Sequence, residues 1–196
     1  MEMLGETLEQ AGFKTFLPHR DGFLFGALVP DLVKAGYPLD VAQWMARQAI
    51  FALDIYQVLM GCDATVMNLN GRVPDEGAVV EGAIAWTAGK PVVLFKDDAR
   101  SKIDGFDNPL VAGLGGFRLV QHSEDLPRAM ARALMEHPPG PLQMESLSMT
   151  TRQAVERGQR LVDQYRTGDS GRLVQTIIEL FDEFRSTGQG PPRLAH

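Results

Sequence analysis

Residues 64–95 constrain the fold more than any other stretch, because short apolar segments there alternate with a helical one. Ala64–Leu69 is typical of a buried strand, residues 78–88 of a helix, and Pro91–Phe95 of a second strand. Gly89 after the helix and Pro91 at the start of the second strand mark where the helix ends. This order predicts parallel strands in a sheet that helices cover on both faces.

The same alternation continues on both sides of this stretch. Further helices are expected over residues 1–11, 40–60 and 123–136, and further strands over 15–17 and 117–120. Beyond a proline-rich break, helices are expected over 149–165 and 170–185, followed by a tail that we expect to be disordered. The sequence therefore predicts an α/β domain over residues 1–137 and a helical extension over residues 138–196.

The last expected helix carries an apolar stripe that must be covered. Its members are Leu173, Ile177, Leu180, Phe181 and Phe184. Either the chain itself or a second subunit can cover this stripe, and we favour the second subunit.

The charge of the chain argues against two classes of partner. It has 19 basic and 25 acidic residues, which gives no basic surface for nucleic acid or for an anionic membrane. Neither a bilayer-spanning apolar run nor a secretory leader is visible. We expect a soluble, cytoplasmic protein that binds neither nucleic acid nor membrane.

Metal-binding residues are sparse. Cys62 is the only cysteine, and the four histidines are too scattered for a zinc site. Asp97 and Asp98 follow an expected strand and could hold a divalent cation with a substrate phosphate, although a solvated loop is the simpler interpretation. We expect no metal and no cofactor.

One carboxylate, Glu81, stands inside the otherwise uncharged helix at residues 78–88. A helix that is apolar all round is typical of a buried position, where an unpaired carboxylate is costly unless function requires it. Reciprocal capping by Glu81 would need Ser or Thr where the chain has Ala78. The nearby helix start favours the ionised form, and Gly82 would leave room for a ligand. Glu81 is therefore the first candidate for chemistry.

Two further carboxylates have structural alternatives. Asp54 shares a face with apolar residues of its expected helix, where it either takes part in chemistry or accepts a hydrogen bond from the backbone or from Arg47. Asp75 precedes the helix that carries Glu81, so capping that helix is its simpler role.

Several motifs together resemble the nucleoside 2-deoxyribosyltransferase family. They are Phe16–Gly22, Cys62–Gly71, Pro74–Gly77, Glu81–Ala83, Gly89–Val93 and Asn108–Leu110. The resemblance covers residues 3–120 and leaves out the two C-terminal helices. It implies a flavodoxin-like parallel sheet. Members usually begin with a Tyr-Leu-Ala-Gly-Pro strand, and we expect this chain to lack that first strand.

The resemblance also implies roles for individual residues. Glu81 matches the family's nucleophile, Asp75 a carboxylate near the sugar, and Asp54 a carboxylate that handles the base. Asn108 matches a residue that reaches into a neighbouring subunit's site, and Leu110 stands where many members have Met, so we expect a homo-oligomer, a dimer or larger. The other expected substrate-binding residues are His19, Arg20, Asp21, Gly22, Asn70 and Gly77, with Phe23 and Phe25 as further candidates.

The implied reaction is the transfer of 2-deoxyribose from one nucleobase to another, in nucleoside salvage. Glu81 would attack the anomeric carbon while a protonated Asp54 donates a proton to the departing base. Attack by water on the glycosyl intermediate would instead make the protein a hydrolase. A non-catalytic nucleoside-binding relative is the alternative from another class. Related nucleotide N-glycosidases tend to carry Ser at the position of Asp75, which implies substrates with a free 5′-hydroxyl here.

Overall fold

The computed structural model describes residues 2–71, 73–98 and 107–182. The chain forms two compact units. The first consists of Met1–Leu17 and Gln57–Met144, and the second of Pro18–Tyr56 and Glu145–His196. The predicted tail lies outside the described residues, and the domain boundary expected at residue 137 stays a prediction.

Helices dominate the described part of the chain. They are α1 (Glu2–Gln10), α2 (Pro18–Asp21), α3 (Phe25–Lys34), α4 (Leu39–Tyr56), α5 (Glu76–Thr87), α6 (Pro109–Leu114), α7 (Leu126–Glu136), α8 (Met149–Tyr165) and α9 (Ser170–Phe181). The strands are β1 (Thr65–Asn68), β2 (Val92–Phe95) and β3 (Leu119–Val120). A π-helical turn occupies Gln57–Gly61, and short 3-10 turns occupy Ser123–Asp125 and Met144–Ser146. Within the described ranges, no helix has both the length and the apolar character needed to cross a bilayer.

The first unit is built on a parallel sheet with the strand order β1-β2-β3. Thr65 of β1 lies opposite Val92 of β2, and Leu94 of β2 lies opposite Leu119 of β3. The expected strands over 64–69, 91–95 and 117–120 are therefore confirmed, as is the α/β fold class with helices at its C-terminal end. This mixed architecture is consistent with a flavodoxin-like fold.

Both faces of the sheet are covered, as predicted, because alternate residues of β2 point to opposite sides. Val93 and Phe95 pack with apolar residues of α1 and α7, including Leu4 and Leu126. Val92 and Leu94 belong to the second core, with Met67 of β1 and Ala85 of α5. All the residues of β2 are buried, which is typical of a central strand in a parallel sheet.

The strand predicted over Thr15–Leu17 is not formed. Among the described residues β1 pairs only with β2, so no strand lies on its other edge. A three-residue segment cannot form a strand without a neighbour to accept its backbone hydrogen bonds, which explains the difference. Leu17 is nevertheless buried, because its side chain packs against Gly5 of α1.

The second unit is helical, and α8 and α9 pack on α4 within it. The apolar side of α9 is covered by its own chain, and Leu173, Ile177 and Phe181 are all buried. The preference for a second subunit as the cover of this stripe is therefore wrong for these residues. The sequence could not decide this point, because an apolar stripe fits any complementary surface. Phe184 of the predicted stripe lies outside the described residues.

Candidate active site

The start of α5 positions both Asp75 and Glu81. Asp75 is the N-cap, since its Oδ1 accepts a 2.8 Å hydrogen bond from the backbone N–H of Ala78. The expected capping role of Asp75 is thereby confirmed. Glu81 lies in the second turn and is half-buried, and Gly77 is exposed in the first turn. The regular helix fixes the spacing of Asp75, Gly77 and Glu81 along one element.

Helix α5 is less buried than its sequence indicates. Within it, Gly82 and Ala85 are the buried residues, whereas Val80 and Trp86 are each 57% exposed. The expectation of a wholly buried helix is wrong for the single chain, because α5 rests on the sheet with one face only.

Gly82 faces the sheet rather than a ligand. A β-carbon at this position would lie 2.8 Å from the sulfur of Met67, which is fully buried in β1. The expectation that Gly82 leaves room for a ligand is therefore wrong. The glycine instead lets α5 approach β1 closely.

Hydrogen bonds join the segments that follow β1 and β2. The backbone N–H of Asp97 donates to Oδ1 of Asn70 at 3.0 Å, and that of Gly71 donates to Oδ2 of Asp98 at 3.0 Å. The backbone N–H of Asn70 donates in turn to Oδ1 of Asn68 at 3.0 Å. Ligands of open parallel sheets bind at the carboxyl ends of the strands, which is where this network holds Asn70. Asp98 therefore has a structural role as an acceptor for the neighbouring segment.

Asn108 and Leu110 stand at the start of α6. Oδ1 of Asn108 accepts a 2.9 Å hydrogen bond from the backbone N–H of Leu110, so Asn108 caps the helix. Both residues are exposed, Leu110 by 84%. The preceding Asp107 pairs with Lys96, whose side chain is fully buried at the end of β2. This ion pair anchors the chain directly before Asn108.

Asp54 occupies α4 in the second unit, where burial raises the pKa of its carboxyl from 3.8 to about 6. In the part of the chain that the structure describes, neither a hydrogen bond nor an ion pair stabilises its charge. The expected bond from Arg47 is not formed, because that guanidinium lies over the ring of Phe25 at 5.0 Å. A carboxyl group with a pKa near neutrality can donate a proton in one step and accept it in the next.

The predicted loop at residues 18–22 contains a helical turn, α2. Arg20 pairs with Asp21 through two hydrogen bonds of 2.9 Å, and His19 and Arg20 are exposed. The backbone N–H of Gly22 donates to the carbonyl of Pro18 at 3.1 Å. A β-carbon at Gly22 would lie only 2.5 Å from that oxygen, so the turn requires glycine there.

Lys90 is an important residue to which the sequence patterns assigned no role. It is buried, and its ammonium donates to the carbonyls of Val58, Leu59 and Cys62, the first at 2.9 Å and the second at 2.8 Å. Two of these carbonyls lie in the π-helical turn and the third directly follows it, so the cation acts as their cap. The signal in the sequence was a lysine directly between the glycine that ends α5 and the proline that precedes β2.

Two cavities of the first unit lie away from the candidate site residues. One of about 560 Å³ is lined by Lys96, Asp97 and Asp98 together with residues around His122. Another of about 760 Å³ is lined by residues of β2, β3 and α7, among them Leu94, Leu119 and Ala129. Neither is lined by Glu81, Asp75 or Asn108.

The sequence comparisons decide the family. A profile described as nucleoside 2-deoxyribosyltransferase matches residues 1–129, more than half of the chain. The chain belongs to this family. No curated protein and no solved structure matches it.

Membership in the nucleoside 2-deoxyribosyltransferase family confirms the resemblance that the motifs indicated. The family places the chain among enzymes that transfer or hydrolyse glycosyl groups in nucleoside metabolism, with nucleosides and nucleobases as substrates. The matched range includes Glu81, Asp75, Asp54, Asn108 and the turn around Arg20. Helices α8 and α9 lie beyond it.

Proposed function

We propose that the protein transfers 2-deoxyribose between nucleobases through a covalent intermediate on Glu81. The observation that carries this proposal is the family match over residues 1–129. It is supported by a half-buried carboxylate on the helix that Asp75 caps, and by the raised pKa of Asp54. These groups supply the nucleophile and the acid that cleavage of an N-glycosidic bond needs.

In the first step a carboxylate oxygen of Glu81 forms a bond to the anomeric carbon, and the bond from that carbon to the base nitrogen breaks. The electron pair stays on the base nitrogen, which takes the proton of the Asp54 carboxyl. In the second step a nitrogen of another base attacks the same carbon and releases the Glu81 carboxylate. The proton of the incoming base returns to Asp54, so both residues end as they began.

The charge of Asp75 indicates which group the substrate carries at its 5′ position. Its carboxylate is exposed and accepts one backbone hydrogen bond. A second negative charge at this position would be repelled, because like charges a few ångströms apart oppose each other. We therefore assign 2′-deoxynucleosides with a free 5′-hydroxyl as substrates, rather than 5′-phosphates.

The proposal is tested by incubating the protein with a 2′-deoxynucleoside and a different free base. We expect the exchanged nucleoside in the chromatogram and a protein mass increased by one deoxyribosyl group when the acceptor is omitted. Glu81→Gln should lose both signals, whereas Glu76→Gln, which changes an exposed carboxylate of the same helix, should keep them. Free deoxyribose without exchange would make the protein a hydrolase. Binding without turnover would make it a non-catalytic relative.

We also propose that the protein acts as a homo-oligomer. The first unit exposes three large apolar residues, Val80, Trp86 and Leu110. The expected role of Asn108 is to reach into the site of a neighbouring subunit, and this role requires a second copy of the chain. Sedimentation should show a dimer or larger assembly. Mixing inactive Glu81→Gln with weakened Asn108→Ala should restore part of the activity if each site takes Asn108 from the partner. Failure of a stable mixed oligomer to regain activity would contradict this arrangement.

A further inference from the structure

Helices α8 and α9 lie beyond the family match, yet they pack on the segment that carries the expected base-handling residues. Gly158 of α8 lies directly against α4. A β-carbon there would lie 2.2 Å from the carbonyl oxygen of Ala52 and 2.5 Å from the β-carbon of Tyr56. These residues belong to the turn of α4 that holds Asp54. The added helices therefore support the part of α4 on which the proposed acid lies.

The end of α8 also contacts the turn at residues 18–22. The ring of Tyr165 meets the ring of Phe23 edge to face, with centroids 5.2 Å apart and planes at 79°. The Tyr165 hydroxyl lies 3.5 Å from the carbonyl oxygen of Gly22, the outer limit for a hydrogen bond, so the ring contact is the stronger one. Phe23 is 7% exposed, and the Tyr165 ring is one of the groups that contact it.

The far end of the extension is fixed to the same segment. The hydroxyl of Tyr37, between α3 and α4, donates a 2.5 Å hydrogen bond to Oδ2 of Asp182, directly after α9. The extension thus holds the segment from Gly22 to Tyr56 at several points. A chain end that packed independently would not make such contacts.

We infer that Tyr165 is a positioning residue for nucleobase recognition. It holds Phe23 and Gly22, and through them it fixes the turn that presents His19, Arg20 and Asp21. This inference rests on the proposed function, because the ligand of the turn is taken to be the base. An edge-to-face aromatic contact contributes about 0.5–1.5 kcal/mol, which corresponds to roughly a 2- to 12-fold change in an equilibrium constant.

The test compares Tyr165→Ala, Tyr165→Phe and Met149→Ala in the full-length protein. Met149 is an exposed apolar residue at the other end of the same helix and controls for general loss of side-chain volume. We expect Tyr165→Ala to raise the KM for the acceptor base roughly 3- to 10-fold with kcat changed less than about 2-fold. Tyr165→Phe should keep the normal KM, because the ring contact is retained.

A purely structural role would lower the active fraction, and hence kcat, without raising KM. An unchanged KM in Tyr165→Ala, or an equal rise in Met149→Ala, overturns the inference. Calorimetric binding of a free nucleobase to the same variants separates this result from failure of the proposed function. A wild-type protein that binds base without turnover refutes the transferase assignment, and weaker binding by Tyr165→Ala would still support the inference. A wild-type protein that neither binds nor reacts overturns both.

Discussion

The ammonium nitrogen of Lys90 lies 2.8 Å from the carbonyl oxygen of Leu59, although the two residues are far apart in the chain. The bond connects the loop before β2 to the end of the π-helical turn. Since the carbonyls of Val58 and Cys62 accept from the same nitrogen, one side chain binds three carbonyls in and next to this turn. Lys90 is thus a structural residue within the motif Gly89–Val93.

Replacement of Lys90 by Met should reduce the free energy of unfolding by roughly 2–4 kcal/mol, because it leaves buried carbonyls without a donor. Urea denaturation measures this loss. The control is Lys34→Met, whose ammonium is exposed and pairs only at the surface with Asp31, so a loss below about 1 kcal/mol is expected. Equal losses of unfolding free energy in the two variants would contradict the capping role of Lys90.

The stability of the protein should depend on the ionisation of Asp54. Its folded pKa of about 6 lies above the ordinary value of 3.8, so the folded state holds the proton more tightly than the unfolded state. The contribution of protonated Asp54 to the free energy of unfolding is therefore fully present below about pH 4, and it is lost as the pH rises through about 6. With allowance for screening by solvent, the loss is about 1–2 kcal/mol. Between about pH 4 and pH 6 the free energy of unfolding of the wild type should fall relative to that of Asp54→Asn, and above this range the difference should stay constant.

The pH dependence of catalysis should also follow the titration of Asp54. With Asp54 as the acid, kcat/KM should fall as the pH rises above about 6, most steeply for bases that leave poorly without protonation. Asp54→Asn should lower the rate about 10²- to 10⁴-fold and remove this limb of the profile. A pH profile that Asp54→Asn leaves unaltered would assign the acid role to another group.

Gly158→Ala should test the close contact between α8 and α4. The added methyl group would overlap the carbonyl of Ala52, so we expect a loss of about 1–3 kcal/mol in the free energy of unfolding. The matched control is Gly26→Ala in α3, where nothing lies within 4 Å of the added carbon. Because alanine favours helix, that variant should be neutral or more stable by up to about 1 kcal/mol. A stable Gly158→Ala protein would show that the two helices pack less closely.

Asp107→Ala should destabilise the protein by about 3 kcal/mol, because it removes a partner of the buried Lys96 ammonium. Thermal or urea unfolding gives the loss directly. Asp125→Ala, which breaks a surface pair with Arg128, is the control and should cost less than about 1 kcal/mol. Similar values for both variants would mean that the cation at Lys96 is compensated elsewhere.

Much of the fold was predictable because its signals are local. The apolar run at β2, the cap at Asp75 and the helix over 149–165 depend on neighbours in the sequence, and all were confirmed. The strand expected at Thr15–Leu17 failed because a strand needs a partner from elsewhere in the chain. The apolar composition of α5 likewise predicted burial that depends on what covers the helix.

By itself the sequence determined most of the helices and strands, the parallel sheet and the family, since capping residues, apolar runs and motif spacing depend only on the order of the residues. Only the tertiary structure decided that Lys90 caps a distant helix end, that Arg47 leaves Asp54 without a counter-charge, and that Tyr165 packs on Phe23. Those contacts join residues far apart in the chain or choose among several local partners. Burial and distance, which set their strength, exist only once the chain is folded.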